Sequence, residues 1–268
     1  MDIGPELRRE LLSVAEALAD EAAGRTLPLF RSDGLGAENK SATGFDPVTT
    51  ADRESESAMR GLLGELRADD GVLGEEYGPK PGTSGLTWVL DPVDGTRAFM
   101  SGAPTWGTLI AVNAGDAPVL GMIDQPFTGE RFIGAFGAAR VTRGGQQRDL
   151  RVRRCATLSD AILYTTHPEI GTPAERAGFD AVRSRALLTR YGFDCYAYAL
   201  VALGQVDLVI EAGLQAYDIQ GPQGVIEAAG GIVTDWRGGS PHAGGRVIAA
   251  GDARVHSEAL DILARVSD

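Results

Sequence analysis

The chain has 268 residues, enough to bury a large core as one domain or as two closely packed halves. Its 43% hydrophobic and 23% charged residues exclude a disordered polymer, and no apolar run approaches the ~18 residues a membrane-spanning helix requires. Lys and Arg total 25 against 37 Asp and Glu, a net charge of −12 that disfavours a nucleic-acid partner. An anionic ligand would need cations or local arginines to reverse that field.

In chain order, Pro5 to about Gly24 carries Leu7, Leu11, Val14, Leu18 and Ala22 at helical spacing behind an opening proline. The start, MDIGPELRRELL, lacks the basic stretch, apolar core and cleavage site of a secretory signal, so a cytoplasmic location is expected. A second helix is predicted from Thr50 through Leu66, with Asp52, Glu54 and Glu56 in its first turns. GVLGEE (71–76) and TWVLDPVDGT (87–96) read as strands whose ends break into loops. TLIAVNAGDAPVLGMID (108–124) reads as two strands joined by a turn, and RFIGAFG (131–137) as another.

The Gly-, Gln- and Arg-rich stretch from Arg140 to Arg154 is the best place for a seam between halves. Beyond it come AILYTTH, a helix around Pro173–Ala186, a helix from Cys195 to Leu203 and the strand VDLVIEA. A helix from Pro222 to Ala229 closed by Gly230 and Gly231, the strands IVTDW and RVIAAG, and the helix HSEALDILARV complete the chain. Strands and helices alternate without a strict βαβ rhythm, which points to a layered α/β or α+β fold. Cys155 and Cys195 have no CxxC spacing and are expected to be reduced and buried.

The densest chemistry lies in Asp91-Pro92-Val93-Asp94-Gly95-Thr96. A turn here aims two carboxylates and the Val93 carbonyl at one point, hard oxygen donors suited to magnesium. Gly95 and Thr96 then open a short helix whose free N–H groups suit a phosphate oxygen. The competing reading is an ordinary Pro-Asp-Gly turn capping a helix. The adjacent Glu75 and Glu76 of GEE tip the balance: one reads as a solvated face, and the other as a carboxylate able to bridge metals held by the aspartates. Asp218 in AYDIQGP stands before another helix start, where it is either a further ligand or an N-cap. Asp52 in DPVTTAD is either functional or compensates a helix dipole.

No GxxxxGK[ST], no HExxH and no Asp two residues before a second Asp are present. His167, His242 and His256 are scattered and read as surface or loop residues. Water, not a side chain, is the expected nucleophile.

Together these segments resemble the inositol monophosphatase superfamily of magnesium-dependent phosphatases. The matching pieces are Lys40 to Asp52 in KSATGFDPVTTAD, GEE, WVLDPVDGT, and Glu211 to Asp218 in EAGLQAYD followed by GVIEAAGG, in the family's order over most of the chain. RYGFDCYAY (190–198) and TRAFMSGAPTWGTLIAV resemble the histidinol-phosphatase branch. The resemblance implies an α-β-α-β-α sandwich, a single catalytic domain over residues 1–268, a homodimer and no membrane partner. It implies one magnesium on Glu75, Asp91 and the Val93 carbonyl, a second on Asp91, Asp94 and Asp218, and a weaker third supported by Asp52. Thr96 with Glu75 or Asp52 then orients the attacking water, and Asp94, Gly95, Thr96 and Arg97 face the substrate. Asp194 and Glu211 suit the ammonium or imidazole of histidinol phosphate, whereas inositol offers only hydroxyls; Asp194 is alternatively an N-cap. Arg190 either reaches the phosphate through its planar fork or is a surface arginine. An inositol- or sugar-phosphate phosphatase, a nucleotide 3′-phosphatase and an inactive metal-binding regulator are the alternatives.

Overall fold

The computed structural model describes residues 3–33, 37–39, 47–115 and 117–267. Lys40 lies outside the described residues. Helix α1 (Pro5–Thr26) buries Leu11, Val14, Ala15, Leu18, Ala19 and Ala22, a stripe recurring every three or four residues. Strands β1 (Ala37–Asn39) and β2 (Pro47–Thr49) pair antiparallel and lead into α2 (Thr50–Leu66). The first residue of α2 is fixed by a capping box, in which the Thr49 side chain and the Asp52 carboxylate each bind the other's backbone N–H.

Strands β3 (Gly71–Gly74) and β4 (Gly78–Lys80) form an antiparallel pair, and β5 (Thr87–Asp94) runs parallel to β3. Helix α3 (Thr96–Ser101) follows β5 directly. An antiparallel meander of β6 (Gly107–Asn113), β7 (Pro118–Gln125), β8 (Glu130–Ala135), β9 (Ala138–Arg143) and β10 (Gln146–Asp149) completes an eight-stranded sheet of order β10-β9-β8-β7-β6-β5-β3-β4. The stretch expected to be a seam is therefore largely the last hairpin of this sheet. It reads as a linker because β10 is an exposed edge strand, polar on both faces.

The chain leaves that sheet after Asp149 and enters a second one through β11 (Ile162–Thr165). Then come α4 (Pro173–Arg183), β12 (Leu188–Tyr191), α5 (Asp194–Ala202), β13 (Leu208–Leu214), α6 (Ala216–Ala228), β14 (Ile232–Asp235), β15 (Gly245–Ala250) and α7 (Ala253–Leu263). The five strands are ordered β12-β11-β13-β15-β14. Helix α6 begins six residues before the predicted start at Pro222, since Gln215 and Asp218 close a capping box ahead of it. Pro222 thus lies inside the helix, where it removes the N–H that would reach the Asp218 carbonyl.

Helices α1 and α2 pack on each other and on the outer face of the first sheet. Helices α5 and α6 lie between the sheets, and α6 is buried continuously from Ile219 to Ile226, the all-round burial of a central layer. Helices α4 and α7 cover the far face of the second sheet. The layers run α-β-α-β-α. Both cysteines are free and buried. Among the described residues no helix is long and apolar enough to cross a membrane.

Candidate active site

Asp91 and Asp94 are three residues apart, so in a regular strand they would point to opposite faces. The pairing of β5 with β6 prevents this. Asp91 sits opposite Leu109 and Asp94 opposite Gly107, so three steps on β5 match two on β6. The bulge absorbs the extra residue and turns both carboxylates toward one place. There they meet Asp218, in the first turn of α6, and one oxygen from each of the three lies within 4.8 Å of the others. Each carboxylate is held from behind. Asp91 Oδ1 accepts the Val93 N–H at 3.0 Å, Asp94 Oδ2 the Cys195 N–H at 2.7 Å, and Asp218 Oδ2 the Gln215 N–H at 2.7 Å.

These carboxylates line a cleft of about 780 Å³ together with Glu75, Val93, Gly95, Thr96 and Arg97. Asp52 approaches from α2. Its Oδ2 holds the Thr49 N–H at 2.9 Å and the Thr49 hydroxyl, which leaves Oδ1 3.3 Å from Thr96 Oγ1. Thr96 Oγ1 is also 3.3 Å from the Val93 carbonyl. Asp52, one of the two partners left open for Thr96 by the sequence, is thus within reach of its hydroxyl. Phe30, Phe99 and Trp106, with ring centroids 4.8–5.3 Å apart, anchor α3 and so fix Thr96 in the cleft.

Electrostatics show what this arrangement requires. Burial, and then the charges of Glu75, Asp94, Asp218 and Asp52, push the Asp91 carboxyl well above the ordinary range. Asp94 is raised to about 8 by burial and by Asp194 and Asp218, and Asp218 to about 7 by burial, Glu75 and Glu211. Mutual repulsion of buried carboxylates is relieved by protons or by a cation. A hard, all-oxygen donor set fits a divalent ion such as magnesium.

Asp194 and Glu211 line the same cleft. Asp194 is the first residue of α5, with a left-handed φ of 46°, and it does not cap that helix. Its Oδ2 accepts the Thr105 hydroxyl at 2.8 Å, while the first-turn N–H of Cys195 is taken by Asp94, 101 residues earlier. Gly95 makes room for Asp194, because a Cβ on Gly95 would lie 2.9 Å from the Asp194 Cβ. Burial raises Asp194, opposed by Thr105 and the Arg97 charge, and burial lifts Glu211 to about 7 against the Thr166 N–H that binds it at 2.6 Å. Arg190 is exposed on β12, its guanidinium 5.7 Å from the Phe193 ring centroid, and it does not line the cleft. The loop after β11, whose His167 and Glu169 form part of the rim, and the side chains of Tyr198 and Tyr217 line the cleft without having been among the expected site residues.

This ordered set of carboxylates on a five-layer fold has known counterparts. Residues 7–267 match the inositol monophosphatase family. The chain belongs to that family. It is accordingly a phosphatase of a metal-dependent family, and its acidic cluster is able to hold the metal. The chloroplastic bifunctional phosphatase IMPL2 of Arabidopsis thaliana is 39% identical over 94% of this chain and 74% of its own length. The histidinol-phosphatase of Streptomyces coelicolor is 35% identical over 94% and 96%. An inositol monophosphatase structure from Zymomonas mobilis superposes with a TM-score of 0.83 at 38% identity, covering 96% of this chain and 98% of that one.

Proposed function

We propose that this family member is a magnesium-dependent histidinol-phosphatase, hydrolysing histidinol phosphate to histidinol and phosphate. The observation that carries the reading is the second acidic wall. Asp194 and Glu211 line the same cleft as Asp91, Asp94 and Asp218. A neutral polyol gains little there, whereas an ammonium or imidazolium finds one buried and one half-buried carboxylate. The name of the Streptomyces relative agrees with this substrate.

Glu75, Asp91, Asp94, Asp218 and the Val93 carbonyl would hold magnesium, with Asp52 supporting a weaker ion. Bound there, magnesium supplies Lewis-acid stabilisation of the charge on the phosphoryl group. The chain's own residues do the rest. Thr96 Oγ1 accepts a proton from the attacking water as its own proton passes to Asp52 Oδ1, which the Thr49 contacts hold in place. The N–H groups of Gly95 and Thr96, in the opening turn of α3, receive equatorial phosphoryl oxygens. Arg97 balances charge at the mouth, while Asp194 and Glu211 orient the leaving group. On this reading the enzyme is a cytoplasmic homodimer that engages neither nucleic acid nor membrane, and light scattering on the purified protein tests the dimer.

A second reading, inositol- or sugar-phosphate hydrolysis on the same metal site, is favoured by the Zymomonas likeness. Values of kcat/KM for histidinol phosphate, inositol 1-phosphate and fructose 1,6-bisphosphate with magnesium decide between them. The proposal expects histidinol phosphate to lead by more than about tenfold, the worth of one charge-assisted contact. A lead for inositol 1-phosphate would select the second reading.

A further inference from the structure

Helix α2 buries two carboxylates one turn apart, Asp52 and Glu56. Asp52 serves Thr96, but nothing in the mechanism uses Glu56, which exposes none of its surface. Its contacts all lead to one place. Glu56 Oε2 accepts the Glu76 N–H at 2.6 Å, and Oε1 accepts the Tyr77 N–H at 3.2 Å and Arg60 Nε at 2.7 Å. Arg60 in turn donates to the Gly78 carbonyl. Residues 75–77 form the turn between β3 and β4, so this network grips the segment that carries Glu75. Strand β3 is pressed directly onto the carboxylate, since a Cβ on Gly74 would fall 2.1 Å from Glu56 Oε1.

We propose that Glu56 is a positioning residue for the metal site, fixing the backbone behind Glu75 so that the Glu75 carboxylate meets Asp91 and Asp218. The inference rests on the metal reading of the cleft given above. An ordinary helix-stabilising pair at i and i+4 would need Arg60 alone. Here Glu56 also receives two turn amides, and Arg60 itself ends on the turn. A neutral amide cannot reproduce this arrangement. In Glu56→Gln one oxygen still accepts from Tyr77 and Arg60, but an NH₂ group then faces the Glu76 N–H, two donors in contact. The turn must shift, and Glu75 shifts with it.

Magnesium titrations of wild type, Glu56→Gln and Glu75→Gln, read by thermal melting and by p-nitrophenyl phosphate hydrolysis, test the role. The half-saturating magnesium concentration of Glu56→Gln should rise about 10- to 100-fold in both readouts, the range for residues that orient metal ligands. Its kcat at saturating magnesium should return to within several-fold of wild type, while Glu75→Gln stays impaired. A purely structural role gives the opposite, a lower melting temperature without magnesium and unchanged half-saturation, and would overturn the proposal. If Glu56→Gln does not fold, Arg60→Gln replaces it, with the same direction and a smaller rise expected; unchanged half-saturation there overturns the proposal equally. A wild type that responds to magnesium in neither readout would defeat the metal reading itself, and the role of Glu56 with it.

Discussion

The carboxylate of Asp94 accepts the backbone N–H of Cys195 at 2.7 Å, joining the bulge at the end of β5 to the first turn of α5. The residue before Cys195 is Asp194, so one hydrogen bond links the metal-site wall of the cleft to the wall proposed to hold the leaving group. Gly95, packed against the Asp194 side chain, makes the same connection through van der Waals contact. Metal occupancy and substrate affinity are therefore expected to be coupled.

Asp91 receives repulsion from Glu75, Asp94, Asp218 and Asp52, which places it at the centre of the acidic cluster. Asp91→Asn keeps an oxygen for the Val93 N–H, so the bulge survives while a ligand charge is lost. Activity should fall by roughly two orders of magnitude or more, with the far-ultraviolet circular dichroism unchanged. Turnover within about tenfold of wild type at saturating magnesium would remove Asp91 from the metal site.

If Thr96 passes a proton to Asp52, Thr96→Ala should lower kcat about 10²- to 10⁴-fold and leave KM nearly unchanged, and Thr96→Ser should recover most of the loss. Steady-state kinetics on p-nitrophenyl phosphate report this directly. A change confined to KM would assign Thr96 to ground-state binding.

The raised carboxyls set a pH dependence whose sign can be worked out. Asp94 at about 8 and Asp218 at about 7 keep protons in the metal-free folded protein that the unfolded chain releases near pH 4. Their contribution to stability is thus fullest below about pH 4 and declines as pH rises through 7 and 8. Magnesium replaces those protons, so the rise in melting temperature caused by saturating magnesium should grow from pH 5.5 to pH 8 by several degrees, on the order of 1–2 kcal/mol. An increment that is constant or shrinks with pH contradicts this electrostatic picture.

Much of this was legible because it is written locally. The first turn of α2 is marked by Thr49 and Asp52, and the predicted bounds Thr50–Leu66 coincide with the helix. The carboxylates Asp91, Asp94, Glu75 and Asp218 could be picked out by residue type, and they line one cleft. What makes Asp91 and Asp94 face the same way is not local, since the bulge exists only through pairing with β6. The alternative reading of Asp194 as a helix cap stayed open for the same reason, because its competitor Asp94 is distant in sequence and close only in the fold. Pro222 misplaced the start of α6, as a proline is commoner at a helix start than inside one. His167 and Glu169 enter the rim because β11 lies parallel beside β13, a long-range pairing without a short-range signature.

Recognition of a cation by the second acidic wall is read most directly from the ratio of kcat/KM for histidinol phosphate to that for p-nitrophenyl phosphate, in wild type and in Asp194→Asn. Asparagine keeps the shape, accepts the Thr105 hydroxyl and tolerates the left-handed φ of 46° at this position. A charge-assisted hydrogen bond is worth about 1.5–3 kcal/mol, so the ratio should fall roughly 10- to 150-fold, nearly all of it through histidinol phosphate. If Asp194→Asn leaves that ratio unchanged, or lowers both substrates equally alongside the melting temperature, Asp194 does not bind a cationic leaving group and the histidinol assignment is contradicted.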